Sequence, residues 1–117
     1  MAYSITSKDH FKALNYTGNG STNAVTGVGF APDLVILKRR DAAIGIEVYD
    51  DVRGVQKRLQ TSVNNAEDSS STYLTAFGTD GFTLGSNADI NNSSSVHSSW
   101  SWKAAGSTSS NGDGQIT

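Results

Sequence analysis

The sequence predicts an all-β domain, an antiparallel β-sandwich or jelly roll, on three observations. First, short segments alternate with period two or run apolar on both parities. Leu34 to Leu37 is apolar at every position, and in Ile44 to Asp50 the residues Ile44, Ile46 and Val48 fall on one face with Glu47 and Tyr49 on the other. Second, Asn-Gly and Asp-Gly pairs punctuate these segments at Asn19-Gly20 and Asp80-Gly81. Third, helical spacing is nearly missing.

Taken in order, Met1 to His10 is polar and reads as an N-terminal arm, and the sandwich is expected over 11–105. Phe11 to Tyr16 reads as a first strand, with Leu14 and Tyr16 on one face. Thr17 to Ser21 reads as a hairpin turn that returns the chain as a second strand from Thr22 to Val28. Asp33 to Arg40 and Ile44 to Asp50 form the expected central antiparallel pair. Helical spacing appears only at Val52, Val55 and Leu59, which predicts at most one short helix near 52–60, weakened by Gly54. Ser62 to Thr72 and Ser86 to Ser95 read as polar loops. Between them, Tyr73 to Phe77 and Gly81 to Gly85 read as a hairpin about Asp80-Gly81. In the last strand Val96, Ser98, Trp100, Trp102 and Ala104 share one face, and His97, Ser99, Ser101 and Lys103 the other. Residues 106–117 read as a C-terminal linker or tail.

Composition narrows the function classes. A net charge of −2 argues against nucleic acid as a partner. The absence of cysteine removes disulfides and cysteine metal sites. No apolar run reaches the ~20 residues of a membrane span, so a soluble chain made in the cytoplasm, with no membrane insertion, is expected.

Catalytic chemistry has little to stand on. His10 and His97 are the two histidines, and no Gly-x-Ser-x-Gly elbow accompanies them. Glu47 with Asp50 or Asp51 is a conceivable glycosidase pair, but acids facing solvent or bonded to Arg53 is the plainer reading. Asn111 to Gln115 lacks most ligands of a calcium loop, and Asp80, Asn87, Asp89 and Asn91 more plausibly bond their own backbone than converge on a cation. No catalytic, cofactor-binding or metal residue is therefore assigned, and no cofactor is expected. Trp100 and Trp102 are candidates for sugar stacking or for an interface, with core packing as the ordinary alternative. The sugar role would need an exposed tryptophan beside Asp89 and Asn91.

Several segments, in order and at matching spacing, resemble a domain of large structural proteins of tailed bacteriophages, marine and environmental phages in particular. They are Tyr16 to Thr22, Gly27 to Lys38, Tyr49 to Gly54, Asp80 to Gly85 and Trp100 to Ala104. Two departures stand out: Ser101 where such domains often place a cysteine, and a stop at Thr117 where such domains often run on into further repeats, which leaves open a small protein or the first module of a longer fibre.

The resemblance implies a concanavalin-like or jelly-roll sandwich in a virion structural protein without enzymatic activity. A tail-fibre or tail-tip component mediating assembly and host-surface contact is the foremost expectation. Capsid decoration and a carbohydrate-binding module are the alternatives. The implied partners are other virion proteins, further copies of the chain (as trimers if it is a fibre) and a host-surface glycan. The candidate contact loops carry Asn19, Asn64, Asn65, Asp68, Asn87, Asp89 and Asn91.

Overall fold

The computed structural model describes residues 7–104. After one 3-10 turn at Ser7–Asp9 the chain forms β1 (Phe11–Thr17), β2 (Asn23–Thr26), β3 (Leu34–Arg39), β4 (Glu47–Asp50), β5 (Lys57–Gln60) and β6 (Asp68–Ser69). There follow β7 (Leu74–Phe77), β8 (Gly81–Leu84), the single-turn helix α1 (Ala88–Asn91) and β9 (Val96–Trp102). Every pairing among them is antiparallel. One sheet runs β1-β9-β3-β4-β5-β6 and the other β2-β8-β7. The expected β-sandwich is the fold. The tail expected at 106–117 and most of the arm expected at 1–10 lie outside the described residues.

The core lies between the sheets. The large sheet supplies Val35, Leu37 and Tyr49, the small one Val25, Leu74, Phe82 and Leu84, and the connections Val28, Phe30, Tyr73 and Ile90, all buried. Leu14 and Tyr16 of β1 pack against this cluster, as their parity predicts. The expected β3–β4 and β7–β8 hairpins both form. Close approach of backbones explains Gly81: a Cβ there would stand 1.8 Å from the Val25 carbonyl oxygen.

Three expectations are corrected. The Asn19-Gly20 turn joins no hairpin, because β1 pairs with β9 and β2 with β8, so the turn carries the chain from one sheet to the other. The helix expected near 52–60 is replaced by β5, since Gly54 and Gln56 have φ of +96° and +64°, which no helix accommodates. The helix lies instead at Ala88–Asn91, in the segment expected to be loop, with Asn87 as its N-cap accepting a hydrogen bond from the Asp89 amide at 2.9 Å. The third concerns Glu47, expected among the acids that face solvent or bond Arg53. Glu47 and Tyr49, not Ile46 and Val48, point into the core, and so do His97, Ser99 and Ser101 rather than the tryptophans.

Asn91 locks the loops that join the layers. Fully buried, its Nδ2 is shared among the Gly85 carbonyl, Asn19 Oδ1 and the Ser21 carbonyl. Its Oδ1 accepts from the Asn19 amide and from Asn23 Nδ2, each at 3.0 Å. One side chain thus holds the sheet-to-sheet crossover against α1. Replacing Asn91 by Ala should cost about 2–4 kcal/mol, since several polar groups lose a buried partner. The melting temperature should fall by roughly 10 °C, whereas Asn64→Ala, in an exposed loop, should stay within about 0.5 kcal/mol. Equal thermal shifts for the two variants would refute this role.

Candidate functional site

The acids and bases most suggestive of chemistry meet on the inner face of β4 and β5. Arg58 donates to Glu47 Oε1 at 3.0 Å, to both oxygens of Asp68 at 3.0 and 2.8 Å, and to Asp89 at 3.3 Å. The Tyr49 hydroxyl donates to Glu47 Oε2 at 2.5 Å, and the Tyr73 hydroxyl to Asp68 Oδ2 at 2.8 Å. The guanidinium also lies 4.6 Å from the centre of the Tyr73 ring.

Burial raises the Glu47 pKa above the usual carboxylate range, against the pull of Tyr49 and Arg58. Burial likewise drives the Tyr49 hydroxyl up, and it holds the Tyr73 hydroxyl at about 12 together with its bond to Asp68. The Arg58 bond lowers Asp68. Both oxygens of Glu47 and of Asp68 are turned onto Arg58 or a tyrosine, and Asp89 meets Arg58 through Oδ2, so the arrangement braces β4, β5, β6 and α1. Asp50, the partner imagined for Glu47, has the opposite parity on β4 and bonds Arg53. The two carboxylates therefore cannot flank one substrate from this strand.

The remaining sequence candidates scatter. Asp80 accepts from the Gly29 and Gly27 amides at 2.6 and 3.1 Å, which lowers its pKa, and does not meet Asn87, Asp89 or Asn91. Among the described residues no three of His, Cys, Asp and Glu are placed to hold a metal. Asn64 and Asn65 stand exposed between β5 and β6, and Asn19 is exposed in the crossover. Asp68 is exposed but tied to Arg58 and Tyr73, and Asn87 is engaged as a helix cap. Asn91 is removed from the contact surface altogether by its burial. Asp89 and Asn91 belong to the inner side of the large sheet, so the sugar constellation with Trp100 does not assemble.

What does assemble is an apolar outer face. Cross-strand partners place Ala13, Trp100, Ile36, Val48 and Leu59 in one row across five strands. Phe11, Trp102 and Leu34 form a second row, the first two rings 5.0 Å apart. Val96 of β9 and Ile46, just before β4, are 40% and 36% exposed on this side. A shallow depression of about 140 Å3 lies beside Trp100, bounded by Ala13, Asn15 and Ser98. Sequence reasoning grouped these residues correctly by face but did not find that the face turns outward. The signal available was the run of small polar residues at Ser99 and Ser101.

His97 is the costly member of the opposite face. It is fully buried and stacked on Tyr16 at 5.1 Å, and neither ring nitrogen reaches a well-formed hydrogen bond. Burial lowers its pKa from 6.5, only partly opposed by the nearby Asn92 backbone. The unfolded chain therefore binds this proton more readily, so the stability conferred by neutral His97 is present above pH 6.5 and is lost as pH falls towards the folded pKa. His97→Phe keeps the stack and removes the unpaired nitrogens. It should stabilise the fold by about 1 kcal/mol at neutral pH and flatten the loss of stability on acidification below pH 6.5. Urea midpoints at neutral and mildly acidic pH test this, and parallel losses in the two proteins would defeat it.

No curated protein and no solved structure matches the chain. The family model described as a domain of unknown function (DUF7483) matches residues 6–117, and the chain belongs to that family.

Proposed function

We propose that the chain is a non-enzymatic structural module of a tailed-bacteriophage virion, a tail-fibre or tail-tip component that mediates assembly and host-surface contact. The outer face of the large sheet carries this reading. A sheet that turns Trp100, Trp102, Ile36 and Val48 outward while spending Glu47, Arg58, Asp68 and Asp89 on one another is organised for contact rather than for reaction. The virion enters through the segments that resemble phage structural domains, Gly27 to Lys38 and Trp100 to Ala104 foremost. Other virion proteins are the expected neighbours, and the exposed loops bearing Asn19, Asn64 and Asn65 are the surfaces left for the host.

Carbohydrate binding is the second reading, favoured by the depression in which Trp100 stands beside Asn15 and Ser98, hydrogen-bonded to each other at 2.8 Å. A glycan array probed with the full chain decides it: binding that Trp100→Ala abolishes would support it.

For the virion reading, mass spectrometry of purified phage particles should find the chain as a stoichiometric component. Antibody labelling should place it on the tail, whereas labelling of the capsid would favour a decoration role. Particles that lack the chain would refute the virion assignment.

A further inference from the structure

We infer that the outer face of the six-stranded sheet is a two-fold interface between two copies of this chain; the inference rests on the reading of the chain as an assembly module and names the partner of its apolar face. The first support is size. Five strands about 4.8 Å apart and three rows about 6.7 Å apart, the third being the polar row Asn15, Ser98 and Lys38, give a footprint of roughly 480 Å2. Two such footprints bury roughly 1,000 Å2, where specific interfaces begin.

The second support is self-complementarity. Set a two-fold axis along β3, midway between two stacked faces. Trp100 of one copy then lies over Val48 of the other, Leu59 over Ala13, and Ile36 over its own counterpart, because these five form a single row with Ile36 at its centre. Trp100 meets the smaller Val48 and Leu59 the smaller Ala13, as two packed sheets about 10 Å apart require, while Lys38, its ammonium turned onto the Ala42 and Ile44 carbonyls, meets its own counterpart at the rim. Ile46 and Val96, the exposed apolar residues of the same side, extend the contact at its rim.

The third support is the inversion itself. Strands in a monomer ordinarily send bulky apolar residues inward and small polar ones outward. Here β9 does the reverse, with Ser99 and Ser101 fully buried and Trp100 and Trp102 outside. A second copy seated on the face restores the usual rule.

Sedimentation equilibrium of the full chain tests this, and a dimer is expected. Trp100→Glu and Val48→Lys each place an unpaired charge in the contact and should raise the dimer dissociation constant at least about a hundredfold. An equimolar mixture of the two should dimerise again. In the mixed pair the introduced carboxylate meets the introduced ammonium at one contact, while the native Val48 and Trp100 meet at the other. Should neither variant fold by circular dichroism, the native chain still decides: acrylamide should quench its tryptophans more strongly as dilution dissociates the dimer.

A native monomer, whether residues 105–117 or an unrelated protein takes the face, would overturn the proposal. So would a trimer, variants that keep the native mass, tryptophan quenching unchanged by dilution, or a mixture that stays monomeric. Particle composition is an independent measurement. A chain found in virions yet monomeric in solution would defeat the interface alone, and a dimer missing from virions would defeat the virion assignment alone.

Discussion

Cross-strand partners in an antiparallel sheet share a face, so a strand paired on both sides dictates the orientation of its neighbours. In the large sheet that strand is β9, bonded to β1 over seven residues and to β3 over six. Two of its inward side chains, Ser99 and Ser101, are small, which leaves room for the second layer and for α1 to approach. Turning β9 over would drive two indoles into the space now filled by two hydroxymethyl groups, an overpacking no rotamer change relieves. The same flip would carry Leu37, Val35 and Tyr49 out of the core, because they share the face of Ser99 and Ser101 through the ladder. The volume available opposite β9 therefore decides the facing of the whole sheet, and the electrostatics follow from it.

Glu47 is brought inside by that decision. A lone buried carboxylate would be prohibitively costly, and Arg58, on the adjacent strand, makes it tolerable. Arg58 then reaches Asp68 on β6 and Asp89 on α1, linking elements that hydrophobic contact alone would hold loosely. The arrangement adds registry more than stability: a one-residue slip of β5 against β4 would exchange Arg58 for Lys57 or Leu59 opposite Tyr49 and strand the Glu47 charge. A polar interior of this kind specifies one pairing among several that the apolar residues would accept.

These couplings explain what was legible in the sequence. Period-two grouping was readable at β3, β4 and β9 because alternation is local, and the β7–β8 hairpin was readable because Asp80-Gly81 makes its own turn. The choice between the two faces was not, since alternation has two solutions and the ordinary tie-breaker, bulky apolar residues inward, points the wrong way for Trp100 and Val48. The Asn19-Gly20 turn misled for a different reason. Its backbone is held by Asn91, 72 residues away, so the strands on either side of it join different sheets. Helix α1 is a single turn, too short for periodicity to register, and is announced only by the Asn87 cap. Val52, Val55 and Leu59 show the converse, helical spacing by coincidence in a segment broken by Gly54 and Gln56.

Two departures from ordinary patterning thus occur on opposite sides of one sheet, and they differ in whether the chain compensates them itself. Glu47 inside is answered by Arg58 and Tyr49 within hydrogen-bonding distance, so nothing further is needed to explain its place. The outward row from Ala13 through Trp100, Ile36 and Val48 to Leu59 has no corresponding answer among the described residues. A sequence that specifies one structure tends to break its local rules where it meets something else. By that logic the ionisable cluster reads as architecture, and the unanswered departure is where the proposed contact is placed. The search for this protein's role accordingly belongs on the outer face, in what covers its two tryptophans and the aliphatic side chains beside them, rather than in the acids beneath it.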